Sequence, residues 1–154
     1  MSLGDKDIYF MGEAFKEAEA AYEAGESPVG ACIVFQEKII ARAHNQVELL
    51  KDPTAHAEMI AITQAASYLS NWRLQNCILY VTKEPCLMCA GAVLMSRVSK
   101  VVYGAVDEAG KGIRDLIHPG YESGLKELQV VGGVLGEPCQ IILKDFFKKV
   151  RRKD

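Results

Sequence analysis

The sequence predicts an α/β domain of three layers, with helices on both faces of a central mixed sheet of five strands. Three observations carry this prediction. Several segments repeat apolar residues at three- and four-residue steps, and short runs of strand formers alternate with them. The chain has 154 residues, the length of one ordinary domain around one sizeable core. Its 49% hydrophobic and 25% charged residues exclude disordered, fibrous and collagen-like chains. A single domain over 1–154 is expected.

Each element has its own local reason. Over residues 8–22 the side chains of Ile8, Met11, Ala14, Phe15, Ala18 and Tyr22 fall on one helical face, and Gly25 stands where the helix should stop. Residues 29–35 and 39–43 are apolar runs joined by Gln36-Glu37-Lys38, which reads as a hairpin. Asp52-Pro53-Thr54 supplies capping residues and a first-turn proline, so a second helix is expected from near Thr54 through Ala57, Ile60, Ala61, Ala65 and Tyr68. Residues 77–81 form a buried strand, Pro85 breaks the chain, and 86–95 is helical. A strand follows over 98–106, then a glycine-rich stretch over 110–124 that is mostly loop with a short helical piece. The last strand is expected over 127–135. A basic helix over about 137–152 closes the chain, with Cys139, Ile142, Leu143, Phe146 and Val150 on one stripe.

Charge and cysteine usage narrow the setting. The net charge is −2, yet residues 144–154 hold six basic and two acidic side chains, which leaves the tail at +4 and the body at −6. The sum argues against a general nucleic-acid-binding surface, and a polyanion should meet the tail first. No stretch approaches the ~18 apolar residues of a membrane span, and residues 1–8 lack the basic segment and apolar run of an export signal. A cytoplasmic location and no membrane partner are expected. Five cysteines make a complete disulfide framework improbable on parity and favour reduced thiols or metal ligands. Cys32, Cys77 and Cys139 sit in apolar stripes and read as buried small hydrophobes.

Cys86 and Cys89, three apart at a helix start, share a face where unpaired N–H groups favour thiolates. Alone, this spacing also fits a redox pair or two core thiols. His56 adds the third donor of a catalytic metal site with an open position, and Glu58 is then the natural base. A steric condition attaches to this pair, because residues two apart on a helix of ~3.6 residues per turn point about 200° apart. Both can face one ion only if His56 occupies the capping turn.

His-Ala-Glu at 56–58 followed by Pro-Cys-x-x-Cys at 85–89 is the signature of zinc-dependent nucleobase deaminases. The chain resembles the cytidine deaminase superfamily, and within it the bacterial tRNA-specific adenosine deaminases. Pro28-Val29-Gly30-Ala31, Asn45, residues 52–58, Asn71-Trp72-Arg73-Leu74, residues 84–92 and the tail Asp145-Phe146-Phe147-Lys148 carry this resemblance. It implies a cytidine-deaminase-like fold and one zinc ion per chain on His56, Cys86 and Cys89. It also implies water activated by that ion, with Glu58 first taking its proton, passing it to the adjacent ring nitrogen, and then helping to protonate the departing amine as ammonia. The resemblance places Asn45 in the substrate pocket with Val29, Ala57 and Pro85 around it. A turn role for Asn45 and a strand start at Val29 stay open on the residues alone. A homodimer is implied as well.

The substrate implied is adenosine in a tRNA anticodon loop. Phe147, Lys148, Arg151 and Arg152 suit it, since aromatic rings stack unpaired bases and cations neutralise phosphates. A solvated C-terminal turn is the competing account of the same residues. The chain also departs from the family pattern. The loop between Asp107 and His118-Pro119-Gly120 is short, and Tyr121-Glu122-Ser123 stands where an Asn-His pair is usual. These departures keep a free guanine, adenine or cytosine type base or nucleoside as the rival substrate. A silent zinc-binding or RNA-binding module is the reading from another class, and Glu58 argues against it, because a structural zinc takes four protein ligands and needs no carboxylate beside it.

Overall fold

The computed structural model describes residues 3–116 and 128–153. Its elements in chain order are α1 (Leu3–Glu23), β1 (Gly30–Phe35), β2 (Lys38–His44), α2 (Val47–Leu50), α3 (Ala57–Leu69), β3 (Cys77–Lys83), α4 (Leu87–Met95), β4 (Lys100–Ala105), α5 (Ile113–Leu116), β5 (Gln129–Val131) and α6 (Gly136–Lys153). The five strands lie in the order β2-β1-β3-β4-β5. β1 runs antiparallel to β2 and β3, whereas β3, β4 and β5 are mutually parallel, so the sheet is mixed.

Alternation along the strands separates the two faces. Cys32, Val34, Tyr80 and Val102 pack with Phe10, Met11 and Ala14 of α1. Ala31, Ile33, Leu79, Val81 and Val101 point the other way, towards Ala57, Ala61 and Ala65 of α3 and Ala90 and Val93 of α4. α6 joins α1, with Phe146 edge-on to Tyr22 at 5.8 Å. The result is the three-layer arrangement expected. Two glycines set its spacing. A Cβ on Gly30 would fall 2.1 Å from the Ala14 carbonyl oxygen and 2.3 Å from the Ala18 nitrogen, so α1 crosses β1 at backbone contact. A Cβ on Gly104 would meet Cys139 Sγ at 2.6 Å, which seats α6 on β4 in the same way.

Several boundaries differ from the sequence expectation. The second long helix starts at Ala57 and not near Thr54, because Asp52 folds back on the chain: Thr54 N and Oγ1 donate to its Oδ1 at 2.8 and 2.7 Å. That Asx-type turn uses the capping residues before the helix begins. Of the expected strand over 127–135, whose first residue lies outside the described residues, Gln129–Val131 is strand; it ends there because Gly132 lies against the Tyr103 ring and Gly133 turns at φ +84°. α6 consequently opens at Gly136, and Pro138 sits in its first turn. α2 has no local signal at all. Its first N–H groups, on Glu48 and Leu49, donate to the buried carboxylate of Glu26 at 2.9 Å each. Cys32, Cys77 and Cys139 are fully buried, as expected. His118, Pro119, Gly120, Tyr121, Glu122 and Ser123 lie outside the described residues, as does the side chain of Arg152.

Candidate metal and substrate site

The N-termini of α3 and α4 meet at the end of the sheet where β1 begins and β3 ends. His56 is the N-cap residue of α3 with extended backbone (φ −76°, ψ 152°), and Cys86 is the N-cap of α4 (φ −68°, ψ 174°). Cys89 lies one turn into α4. Neither cap residue uses its side chain to cap its helix, so both remain available to a ligand. The steric condition is therefore met: His56 precedes the regular helix, and Glu58 faces the same cavity from its first turn.

The donor set fits a tetrahedral ion. His56 Nδ1 stands 3.6 Å from Cys86 Sγ and 3.5 Å from Cys89 Sγ. Nitrogen and sulfur ligands at about 2.0 and 2.3 Å from a tetrahedral centre lie roughly 3.6 Å apart, so the edges already have the right length. Among the described residues, this is the cluster of three His, Cys, Asp or Glu groups with donor atoms close enough to hold a metal. Without an ion the two thiols share a proton. Cys86 is held down at about 3 by a hydrogen bond from Cys89 and by His56, whereas Cys89 is pushed far above the ordinary thiol range by the same bond and by burial. The Cys86 thiolate in turn raises His56. Burial raises the Glu58 carboxyl above the usual range, which makes it a better proton acceptor than a solvated carboxylate.

A cavity of about 180 Å³ lies over these groups, with Val29, Asn45, His56, Glu58, Cys86 and Phe147 of the sequence-selected residues on its wall. Asn45 is only partly free. Its Oδ1 accepts the Ala57 N–H at 2.7 Å, capping α3 in place of His56, and this leaves its amide NH₂ as the group for a ligand. Ala57 and Pro85 are buried and are not on the cavity wall. The Ala57 N–H is taken by Asn45, and the Pro85 carbonyl accepts from Ile113 N at 3.0 Å. They shape the cavity from behind. Lys148 and Arg151 line a neighbouring space of about 460 Å³ between α6 and the segment after β4. Lys83, Leu143 and Phe147 border both spaces, which makes them adjacent rooms of one site.

Lys83 and Glu84 were not selected from the sequence. A charged pair closing an otherwise apolar strand, directly before Pro85-Cys86, is the signal that could have found them. Glu84 has a fully buried side chain that accepts from Asp107 N at 2.9 Å and Arg114 N at 3.1 Å, and it pairs with Arg114 Nε at 2.8 Å. It pins the segment after β4 to the metal-ligand turn.

Comparison with known proteins agrees with this geometry. The profile of the MafB19-like deaminases matches residues 4–151. The chain belongs to the MafB19-like deaminase family. As a member, it is a hydrolytic deaminase with a cytidine-deaminase-like fold. This MafB19-like deaminase is 48% identical over 149 residues to a tRNA-specific adenosine deaminase of Bacillus subtilis (strain 168), across 96% of this chain and 92% of that one. It is similar (TM-score 0.79, 37% identity) to a structure from a study of A-to-I editing by tRNA:A34 deaminases at the wobble position of transfer RNA, with 88% of this chain and 99% of that one covered. A guanine deaminase from Bacillus subtilis is also similar, at TM-score 0.63 and 38% identity over 74% of this chain and 78% of that one.

Proposed function

We propose that this deaminase converts adenosine in a tRNA anticodon loop to inosine, releasing ammonia, with one zinc ion held by His56, Cys86 and Cys89. The observation that carries the reading is the continuity of the two rooms. The small one accommodates a base over Glu58, and the larger one, walled by Phe147, Lys148 and Arg151, accommodates the strand it comes from. When bound, zinc supplies Lewis acidity that makes water a nucleophile near neutral pH. Glu58 takes the proton of the attacking water and delivers it to the ring nitrogen beside the reacting carbon. Glu58 then takes the proton of the hydroxyl now on that carbon and passes it to the amine as the C–N bond breaks and the C–O bond becomes the inosine carbonyl, so water and adenosine become inosine and ammonia. The Asn45 NH₂ donates to an acceptor on the heterocycle or ribose, and Val29, Leu143 and Phe147 exclude bulk water.

The similarity to a guanine deaminase favours a second reading, a free base turned over in the small room alone. One experiment separates them. Ammonia release is measured from an anticodon stem-loop and from free adenine, guanine, cytosine and their nucleosides, with the full chain and with residues 148–154 removed. Under the RNA reading only the stem-loop is turned over, and truncation or raised salt weakens that activity strongly. Efficient turnover of a free base, unaffected by truncation or by stem-loop competition, would replace it with the free-base reading.

A homodimer is part of the proposal. α4 reads Leu-Met-Cys-Ala-Gly-Ala-Val-Leu-Met without one charged residue, yet Leu87 is 50% and Met95 77% exposed, with Tyr68 and Trp72 also open to solvent. A helix apolar on all sides is normally covered on all sides. Sedimentation is expected to give a dimer at micromolar concentration, and a monomer there would contradict it. Among the described residues no helix is long and apolar enough to cross a membrane. The proposed place of action is the cytoplasm, where tRNA is available and the five free cysteines stay reduced.

A further inference from the structure

We infer that Lys83 reads a backbone phosphate next to the target base, which makes it a specificity-determining residue; this rests on the RNA reading above. Lys83 ends β3, held by pairing with Ala105 of β4, and it borders both rooms of the site. A half-buried ammonium is costly to keep without a counter-charge. Among the described residues the Lys83 side chain has no ion pair and no hydrogen bond, and the same holds for the side chains of Lys148, which feels Asp145 only at longer range, and Arg151 across the larger room.

None of the acids nearby forms an ion pair with Lys83: Glu58, which shares the small room with it, lies beyond ion-pair distance, and the others have their own partners. Asp107 accepts from Ala109 N at 3.0 Å, Glu108 accepts from Gln140 Nε2 at 2.5 Å and lies 4.0 Å from Lys144, and Glu84 is bound to Arg114. Three cations without an ion pair therefore face one space, Lys83 from the body of net charge −6 and Lys148 and Arg151 from the tail of +4. Lys83 alone of the three also borders the room over Glu58. An anion that touches Lys83 must therefore lie at the junction, where the phosphates on either side of an inserted nucleotide would pass. A free base brings no such charge, so this contact favours nucleotides within a strand over free bases.

The test compares metal-loaded wild type, Lys83→Gln and Lys83→Arg on two stem-loops, one natural and one with uncharged methylphosphonate linkages flanking the target adenosine. Affinity is followed by fluorescence anisotropy against salt, together with KM, kcat and metal content. On the natural strand Lys83→Gln is expected to raise Kd and KM about tenfold, with a smaller change in kcat. Its salt slope should fall by about 0.7, and Lys83→Arg should restore most of the loss. On the neutral linkage wild type and Lys83→Gln should bind alike. Equal losses on both strands, no loss on either, or a fall in metal content would overturn the inference. If wild type neither binds nor deaminates the natural stem-loop, the RNA reading itself fails. If wild type does both and Lys83→Gln keeps the full salt slope, only the assignment of Lys83 fails.

Discussion

Glu58→Ala is expected to retain about one zinc per chain and to lose deamination by at least ~10³-fold, as measured by metal analysis and ammonia release on the same preparation. Its carboxylate is no ligand in the proposed set, so the three donors remain, with His56 Nδ1 3.6 and 3.5 Å from the two sulfurs. What disappears is the carboxyl over the metal donors, raised above the usual carboxylate range by burial and placed to carry a proton between water, ring and leaving amine. General acid–base catalysis contributes about 10²–10⁴-fold for a single transfer, and Glu58 serves more than one. Glu58→Gln keeps the shape and removes only the titrating oxygen, so it should fall nearly as far. Near-normal turnover by either variant would remove Glu58 from the mechanism.

Much of this site was legible because its parts are close in sequence. His56 and Glu58 are two residues apart, Cys86 and Cys89 three apart, and each pair occupies one helix start. The condition that His56 must cap its helix could be stated from ~3.6 residues per turn alone. What supplies the missing cap could not. Asn45 reaches the Ala57 N–H from the end of β2, a contact between residues 12 apart that no local pattern encodes. Glu26 and α2 are a second case, where a four-residue helix is organised by a carboxylate more than 20 residues earlier. Ala57 and Pro85 show what a motif leaves out: the resemblance places them around the substrate, and their burial and backbone hydrogen bonds to Asn45 and Ile113 could be seen only in the fold. The apolar runs located the strands, yet the end of β5 is decided by the Tyr103 ring against Gly132, a tertiary contact.

Metal uptake should depend on pH in a definite direction. In the metal-free protein Cys89 holds its proton, because the Cys86 thiolate accepts its S–H and burial disfavours a second charge. His56 is raised by the same thiolate, so its protonated form is favoured beyond the usual histidine range. Cys86, held down at about 3, has no proton to lose above pH 5. An ion bound by all three donors must therefore displace the Cys89 proton at every pH, and the His56 proton as well wherever that ring is charged. Zinc affinity should rise from pH 6 to pH 8, with one to two protons released per ion in titration calorimetry run in two buffers of different ionisation enthalpy. Cys86→Ala removes both a ligand and the thiolate that raises His56, so zinc binding should weaken by well over ~100-fold, and more than the ligand-sparing Glu58→Ala. His56→Ala should lose the metal as well. Affinity that is flat with pH and accompanied by no proton release would mean that His56, Cys86 and Cys89 are not the ligand set.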